Sequence, residues 1–407
     1  MKNVKIIKGK YGEAKIFASI IDDITINQVN NLMSEEFVKD SKVRIMPDCH
    51  AGIGCVIGTT MTITDKVVPN LVGVDIGCGM LTINLGKKPF SLKDLDEYIH
   101  RNIPSGFDVG IDIHPEGKKL VEKLKCFPHL EDYSHLYRSV GSLGGGNHFI
   151  EIDRSSSGDN YLVIHTGSRN LGHQVATYYQ RRAEIRLAGL DNMEEDIKNV
   201  IREYKQQGMQ RELDRKIKEI KANYKHVKRN DFAYLEGSDL KDYLHDMDIS
   251  QKFASLNRRE IAKIILNHLN YKREDLDHFE TIHNYINMDD MILRKGAISA
   301  KLNERVIIPI NMRDGCILAV GKGNPDYNYS APHGAGRILS RNNAFKKISL
   351  DDFLYEMDGI YTTTAVRRTL DEAPQAYKSI ENIINDIKDS VEIIEVIKPI
   401  YNFKATR

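Results

Sequence analysis

Strand-like and helix-like stretches follow one another in blocks along this chain, and the order of the blocks limits the folds open to it. Short β-branched runs at 4–7, 15–21, 43–46, 56–63 and 80–84, punctuated by glycines, read as strands. From 180 to about 230 the sequence turns rich in Lys, Glu and Arg. Apolar residues recur there at helical spacing (Ile197, Ile201 and Tyr204, then Leu213, Ile217 and Ile220), which predicts long solvent-facing helices. Another helical segment runs from 240 to about 269. Strand-like runs return at 305–310 and 316–320, and a helix at 376–390 precedes a strand-like 391–397. Strands, helices, strands and a helix in that order predict an α+β fold, with a mixed or antiparallel sheet assembled from distant parts of the chain and helices at its periphery. No internal repeat, low-complexity tract or Pro/Ser-rich linker interrupts it, so residues 1–407 read as one unit carrying a charged helical segment at about 180–270.

Composition narrows the function classes. Lys plus Arg number 58 against 57 Asp plus Glu, so no global field draws in a polyanion, and any nucleic-acid site must be a local patch. The longest apolar runs, such as 261–266, are too short to span a bilayer, and no signal-peptide core stands at the N-terminus, which predicts a cytoplasmic protein with no membrane partner. Five cysteines at irregular spacings argue against a disulfide framework and leave thiolate chemistry open.

Five segments carry residues suited to chemistry. In VGVDIGCGM (72–80), glycines let the backbone fold so that Asp75 and Cys78 converge on one ion; the ordinary alternative is a tight turn with a buried Cys. In SLGGGNHFIEI (142–152), three glycines before Asn147 and His148 make a plausible phosphate cradle opening into a strand, on which Phe149 and Glu151 face away from His148. A histidine after glycines is also a common hydrogen-bonded turn residue. An apolar strand in YLVIHTGSRNLG (161–172) delivers His165 and, just beyond it, Arg169, a candidate phosphate contact or a plain surface residue. TIHNY (281–285) offers His283 and Asn284. Last, His333 stands in PHGAGR with Ala335 and Gly336 behind it, and Arg313, Lys322, Arg337 and Arg341 lie nearby in sequence. A neutral imidazole presented by such a turn suits attack on a nucleotide phosphorus.

Asp75, Cys78, GGGNH, HTGSR, HNY and HGAGR, in this order, resemble the RtcB family of 3′-phosphate/5′-hydroxyl RNA ligases, and the likeness runs from MPDCHAGIG (46–54) nearly to the C-terminus. The resemblance implies joining of RNA 3′-phosphate or 2′,3′-cyclic phosphate ends to 5′-hydroxyl ends, with GTP and two Mn²⁺ as cofactors. It implies that Cys78 bridges both ions, that His148 and His165 complete one ion's shell, and that Asp75 with His283 completes the other's. His333 matches the guanylylated histidine. Asn147, Phe149, Glu151, Asn284, Ala335, Gly336 and Lys404 match nucleotide-holding positions, with Glu151 and Lys404 reading the guanine edge. Broken tRNA or rRNA, in repair or splicing, are the implied RNA partners, and an archease-like activator is a further one.

Departures from the family pattern surround the nucleotide positions: Ile310 and Asn311 within 309–312, Pro332 before the histidine, Asn170 after HTGSR, and Ala405-Thr406-Arg407 after Lys404. They mark a divergent bacterial-type subgroup. A dinuclear phosphoesterase acting on RNA ends without ligation is the rival reading, since the Asp/Cys/His set alone would support it; His333 is what separates the two. Arg169, Arg313, Lys322, Arg337 and Arg341, with Lys346 and Lys347, are the candidates for a local basic strip, and Asp48 and His50 are candidates to orient a ligand.

Overall fold

The computed structural model describes residues 4–190, 193–206, 209–225 and 227–405. Two large sheets organise it. One orders strands Lys5–Lys8, Glu13–Ile16, Val43–His50, Ile57–Thr62, Ile292–Lys295 and Asn284–Asn287. The other orders His278–Ile282, Gly79–Gly86, Asn160–Thr166, Phe149–Arg154, Val391–Lys404, Gly315–Gly321 and Arg305–Asn311. Glu13–Ile16 pairs with Val43–His50 in parallel, while the second sheet's ladders are antiparallel. The fold is therefore α+β with one large sheet mixed and the other antiparallel, and strands far apart in sequence are neighbours, as the block order predicts.

The seven-stranded sheet curls until its edges meet: the Arg305 guanidinium bonds Asp277 at 2.6 Å and the His278 carbonyl at 2.9 Å. Strand alternation then sorts the side chains. Ile150 and Ile152 face a core shared with Ile261, Ile265 and Leu266 of a helix. Phe149 faces the opposite interior with Met80, Val163, Ile307, Cys316 and Ile397.

That helix, Gly237–His268, is 32 residues long, so it runs about 48 Å at 1.5 Å per residue. Its buried residues come from nearly every turn, including the fully enclosed Asn257 and Arg258. Within the charged 180–270 segment the described helices are the end of Arg169–Leu187, then Met193–Gln206 and Gln210–Lys225, which pack on each other, and this long one.

The expected strand at 15–21 ends early, at Ile16. Phe17 still donates to the Ile45 carbonyl, but the Ser19 N–H and hydroxyl are taken by the Asp386 carboxylate, which pulls the chain off the sheet. Strand 43–46 instead extends to His50, and 391–397 extends to Lys404. No helix among the described residues is long and apolar enough to cross a membrane.

Candidate metal and nucleotide site

Antiparallel pairing brings alternating strand ends to one edge of the curled sheet. Along that edge stand His283, just after strand His278–Ile282; Cys78, just before Gly79–Gly86; His165, near the end of Asn160–Thr166; and His148, just before Phe149–Arg154. Register puts Met80 opposite His165 and His165 opposite Phe149. The long helix braces these ends. Arg258 donates to the carbonyls of Gly77 and Thr166 at 2.9 and 2.8 Å, and Asn257 bonds Ser142 and the Gly141 N–H in the glycine loop.

Close approach sets the turns. A Cβ on Gly167 would stand 2.1 Å from Asp75 Oδ1, and one on Gly336, whose φ is +75°, would stand 2.2 Å from the Asp48 carbonyl. Glycine at these two positions lets the Asp75–Cys78 turn and the His333 turn close on their neighbours.

The donors form two groups that share Cys78: Asp75, Cys78 and His148, and Cys78, His165 and His283. His148 Nδ1 donates to the Leu143 carbonyl and His165 Nδ1 to that of Asn147, so their Nε2 lone pairs are the free ones. Those lone pairs face the Cys78 sulfur at 3.5 and 3.3 Å. His165 Nε2 also meets His283 Nε2 at 3.3 Å, and buried His283 Nδ1 has no partner. Lone pairs aimed at one another need a proton or a cation between them. Burial pushes His165 and His283 well below the ordinary histidine value, so neither becomes an imidazolium, and each neutral ring keeps a lone pair, a donor set that fits cations.

The grouping corrects the pairing implied by the resemblance. Asp75 Oδ2 lies 3.0 Å from His148 Nε2, so these two share one side of Cys78, and His165 and His283 share the other. The order of strands along the edge decides this: the strands of Cys78 and His165 are adjacent, and His283 follows the strand on Cys78's far side. Burial and Asp75 push the Cys78 thiol well above the ordinary range, so it is neutral unless a bound cation makes it a thiolate.

Next to this edge opens a cavity of about 660 Å³, a volume suited to a small ligand. Asn147, Phe149, Glu151, His165, Ala335, Gly336 and Lys404 line it, as do His50 and His333. The His333 ring lies 4.8 Å from that of His283, centroid to centroid. Its Nδ1 bonds Asp48 Oδ2 at 2.6 Å, and its backbone N–H donates to the same oxygen at 3.1 Å. A carboxylate only accepts, so Nδ1 carries the proton and Nε2 keeps a free lone pair. Lys378 in turn holds the strand bearing Asp48 by donating to the carbonyls of Pro47 and Cys49. Burial pushes His50 down to about 4, which leaves a neutral imidazole in the cavity wall.

The far wall is ionic. Buried Glu372 is bound by Lys404 at 3.0 Å, Arg341 at 2.9 Å, Arg337 at 3.5 Å and the Tyr377 hydroxyl at 2.6 Å. Burial alone would raise its carboxyl; the Lys404, Arg341 and Arg337 charges override that and hold it at about 2. Lys404 also donates to the Asn147 carbonyl and lies 5.1 Å from the Phe149 ring centre.

Other candidates fall elsewhere. Asn284 spends its amide on the Asp75 carbonyl and the Gly296 N–H, bracing the Asp75–Cys78 turn outside the cavity lining. Arg169 braces the glycine loop through Ser142 Oγ and the Gly106 carbonyl. Arg313 pairs with Asp314 and Glu356, and exposed Lys322 donates to the Lys388 carbonyl; neither lines the cavity. Lys346 and Lys347 are exposed on helix Arg341–Lys347. Thr406 and Arg407 lie outside the described residues. Sequence reasoning missed Glu372 and Tyr377 altogether, and left Asp48 without its partner. Their one local signal was an acidic pair, Asp371 and Glu372, ahead of Ala373-Pro374.

A family model described as "RtcB: tRNA-splicing ligase RtcB" matches residues 28–131 and 128–405. Among curated proteins, the RNA-splicing ligase RtcB of Escherichia coli K12 is 27% identical over 404 residues, covering 89% of this chain and 90% of that protein. The tRNA-splicing ligase RtcB of Aeropyrum pernix is 27% identical with 92% and 89% covered, and that of Thermococcus kodakarensis is 25% identical with 96% and 92% covered. Similarity on this scale spans the metal edge, the cavity and the ionic wall alike, and the chain belongs to the RtcB family of tRNA-splicing ligases.

Proposed function

We propose that this chain is an RNA ligase that joins RNA 3′-phosphate or 2′,3′-cyclic phosphate ends to 5′-hydroxyl ends through a covalent His333–GMP intermediate, acting on broken tRNA or rRNA. The observation that carries the reading is the Asp48–His333 pair: one carboxylate oxygen holds both the ring and the backbone of the histidine beside a nucleotide-sized cavity. A phosphoesterase has no need of a nucleophile so held.

Nε2 of His333 attacks the α-phosphorus of GTP; a P–N bond forms and pyrophosphate leaves. Asp48 keeps the proton on Nδ1 and offsets the positive charge that the ring gains. A 2′,3′-cyclic end is first opened by water, which breaks its 2′-O–P bond and leaves a 3′-phosphate; an oxygen of that phosphate then takes the GMP and frees Nε2, and the 5′-hydroxyl oxygen attacks the activated phosphorus, expelling GMP and releasing its proton to solvent. Asp75, Cys78, His148, His165 and His283 would hold two Mn²⁺, which when bound offset phosphate charge and orient the phosphates. Phe149 and Ala335 supply apolar contact for the base, and Glu151 accepts from its edge. The Glu372 network fixes Lys404 before the nucleotide arrives, so little ordering entropy is lost on binding.

Incubation of the purified protein with Mn²⁺ and α-labelled GTP, then denaturation and intact-mass analysis, tests this. An acid-labile GMP adduct absent from His333→Ala is expected; its absence from the parent protein with both GTP and ATP would move the phosphoesterase ahead.

A further inference from the structure

Glu151 and Asp153 stand two apart on strand Phe149–Arg154, so both turn toward the interior that holds Phe149 and Cys316. Glu151 is 2% exposed and Asp153 0%. Their carboxylate oxygens and the Cys316 sulfur lie within 4.8 Å of one another. Glu151 has donors: Asn402 Nδ2 bonds Oε2, and the Cys316 thiol points at Oε1 from 3.8 Å. Neither oxygen of Asp153 has any hydrogen-bond partner.

The Cys316 thiol and the Lys398 charge favour an Asp153 anion, but burial and the Glu151 charge outweigh them. Lys404 is spent on Glu372 and the Asn147 carbonyl, and Lys398 donates to the Asp314 carbonyl. Tyr161, opposed to Asp153 in register, accepts at its hydroxyl from Asn84 Nδ2, and that hydroxyl does not reach Asp153. Cys316 is neutral, its thiol pushed up by burial and by the two carboxylates. Two adjacent buried carboxylates cannot both be charged cheaply, and a proton between them turns an orphan acceptor into a donor. Burial pushes both carboxyls up, Asp153 further because the Glu151 charge adds to it.

We propose that Glu151 and Asp153 share one proton at neutral pH, with Asp153 as the neutral donor that keeps Glu151 an anionic, acceptor-only edge of the cavity and so sets the preference for guanine over adenine. This rests on the reading of Glu151 as the guanine contact. Guanine offers two N–H donors on the edge where adenine offers an acceptor and a donor, so an anionic carboxylate suits guanine and a protonated one would suit adenine. Asp153 is a positioning residue. As pH falls and the pair takes up a second proton, guanine preference declines.

Infrared difference spectra of the full chain, parent against Asp153→Asn at neutral pH, read the proton directly. A protonated-carboxyl band lost in the variant is expected, and its absence from the parent overturns the proposal. Affinities for GMP and AMP then read the consequence. Asp153→Asn restores a donor and should hold the preference within about threefold, extending it to lower pH, whereas Asp153→Leu should lose roughly tenfold or more. Equal loss in both variants, or none in Leu, removes Asp153 from this role. Glu151→Gln separates the two readings: an unchanged base preference there sinks the guanine contact itself, while the infrared band still decides the shared proton.

Discussion

The donor cluster at Cys78 and the ionic wall at Glu372 border the same cavity, yet they handle buried polarity in opposite ways. At the wall, Glu372, Lys404, Arg337 and Arg341 are paired among themselves, and Tyr377 adds a hydroxyl. At the cluster, the imidazole nitrogens face the Cys78 sulfur and each other, and His283 Nδ1 faces nothing. A buried polar group left unpaired costs about 1–3 kcal/mol, more if charged, so the cluster gains from a bound cation. The wall is complete in advance. One region waits for its ligand, and the other is a finished surface for a ligand to meet.

The sharpest break of this contrast would come at His333, the proposed nucleophile, between them. His333→Ala should abolish the GMP adduct completely by intact mass while metal content stays near that of the parent. Next in size, Cys78→Ala should empty the cluster of both ions together, because its sulfur belongs to both donor groups; elemental analysis finding one ion retained would end the bridging assignment. At the wall, Glu372→Gln should cost about 3 kcal/mol at neutral pH. Its folded value of about 2 lies below the ordinary 4.5, so this stability is fully present above about 4.5 and is lost as pH falls toward 2. Urea melts across that window should therefore slope for the parent and flatten for the variant. Asp48→Asn keeps an oxygen for Nδ1–H and the backbone N–H but removes the carboxylate charge that offsets the ring's developing positive charge, so the rate of adduct formation should fall roughly 10- to 100-fold with the adduct still traceable to His333. Smallest is Lys322→Ala, away from both regions on the exposed surface, which should move stability by less than about 0.5 kcal/mol and leave end-joining intact.

Much of the fold was legible because it rests on local pattern. The β-branched runs at 80–84, 305–310 and 316–320 sit inside the observed strands Gly79–Gly86, Arg305–Asn311 and Gly315–Gly321. Misjudged ends have long-range causes: Asp386 takes Ser19 across 367 positions, a contact that no window of sequence contains. The donors were legible as residue types in glycine-bounded turns. Their grouping was not, because Asp75–His148 and His165–His283 are neighbours only through the order in which the strands line up.

By itself, then, the sequence determined which chemical groups are available, the α+β class, and the turns that glycine alone lets close. Tertiary structure decided which donors share a side of Cys78, that Asp48 orients His333 across 285 positions, and that Glu372 gathers Lys404, Arg337 and Arg341. Local propensity acts within a few residues, whereas a hydrogen bond, a metal shell or a shared proton depends on distances of a few ångströms that only chain packing supplies.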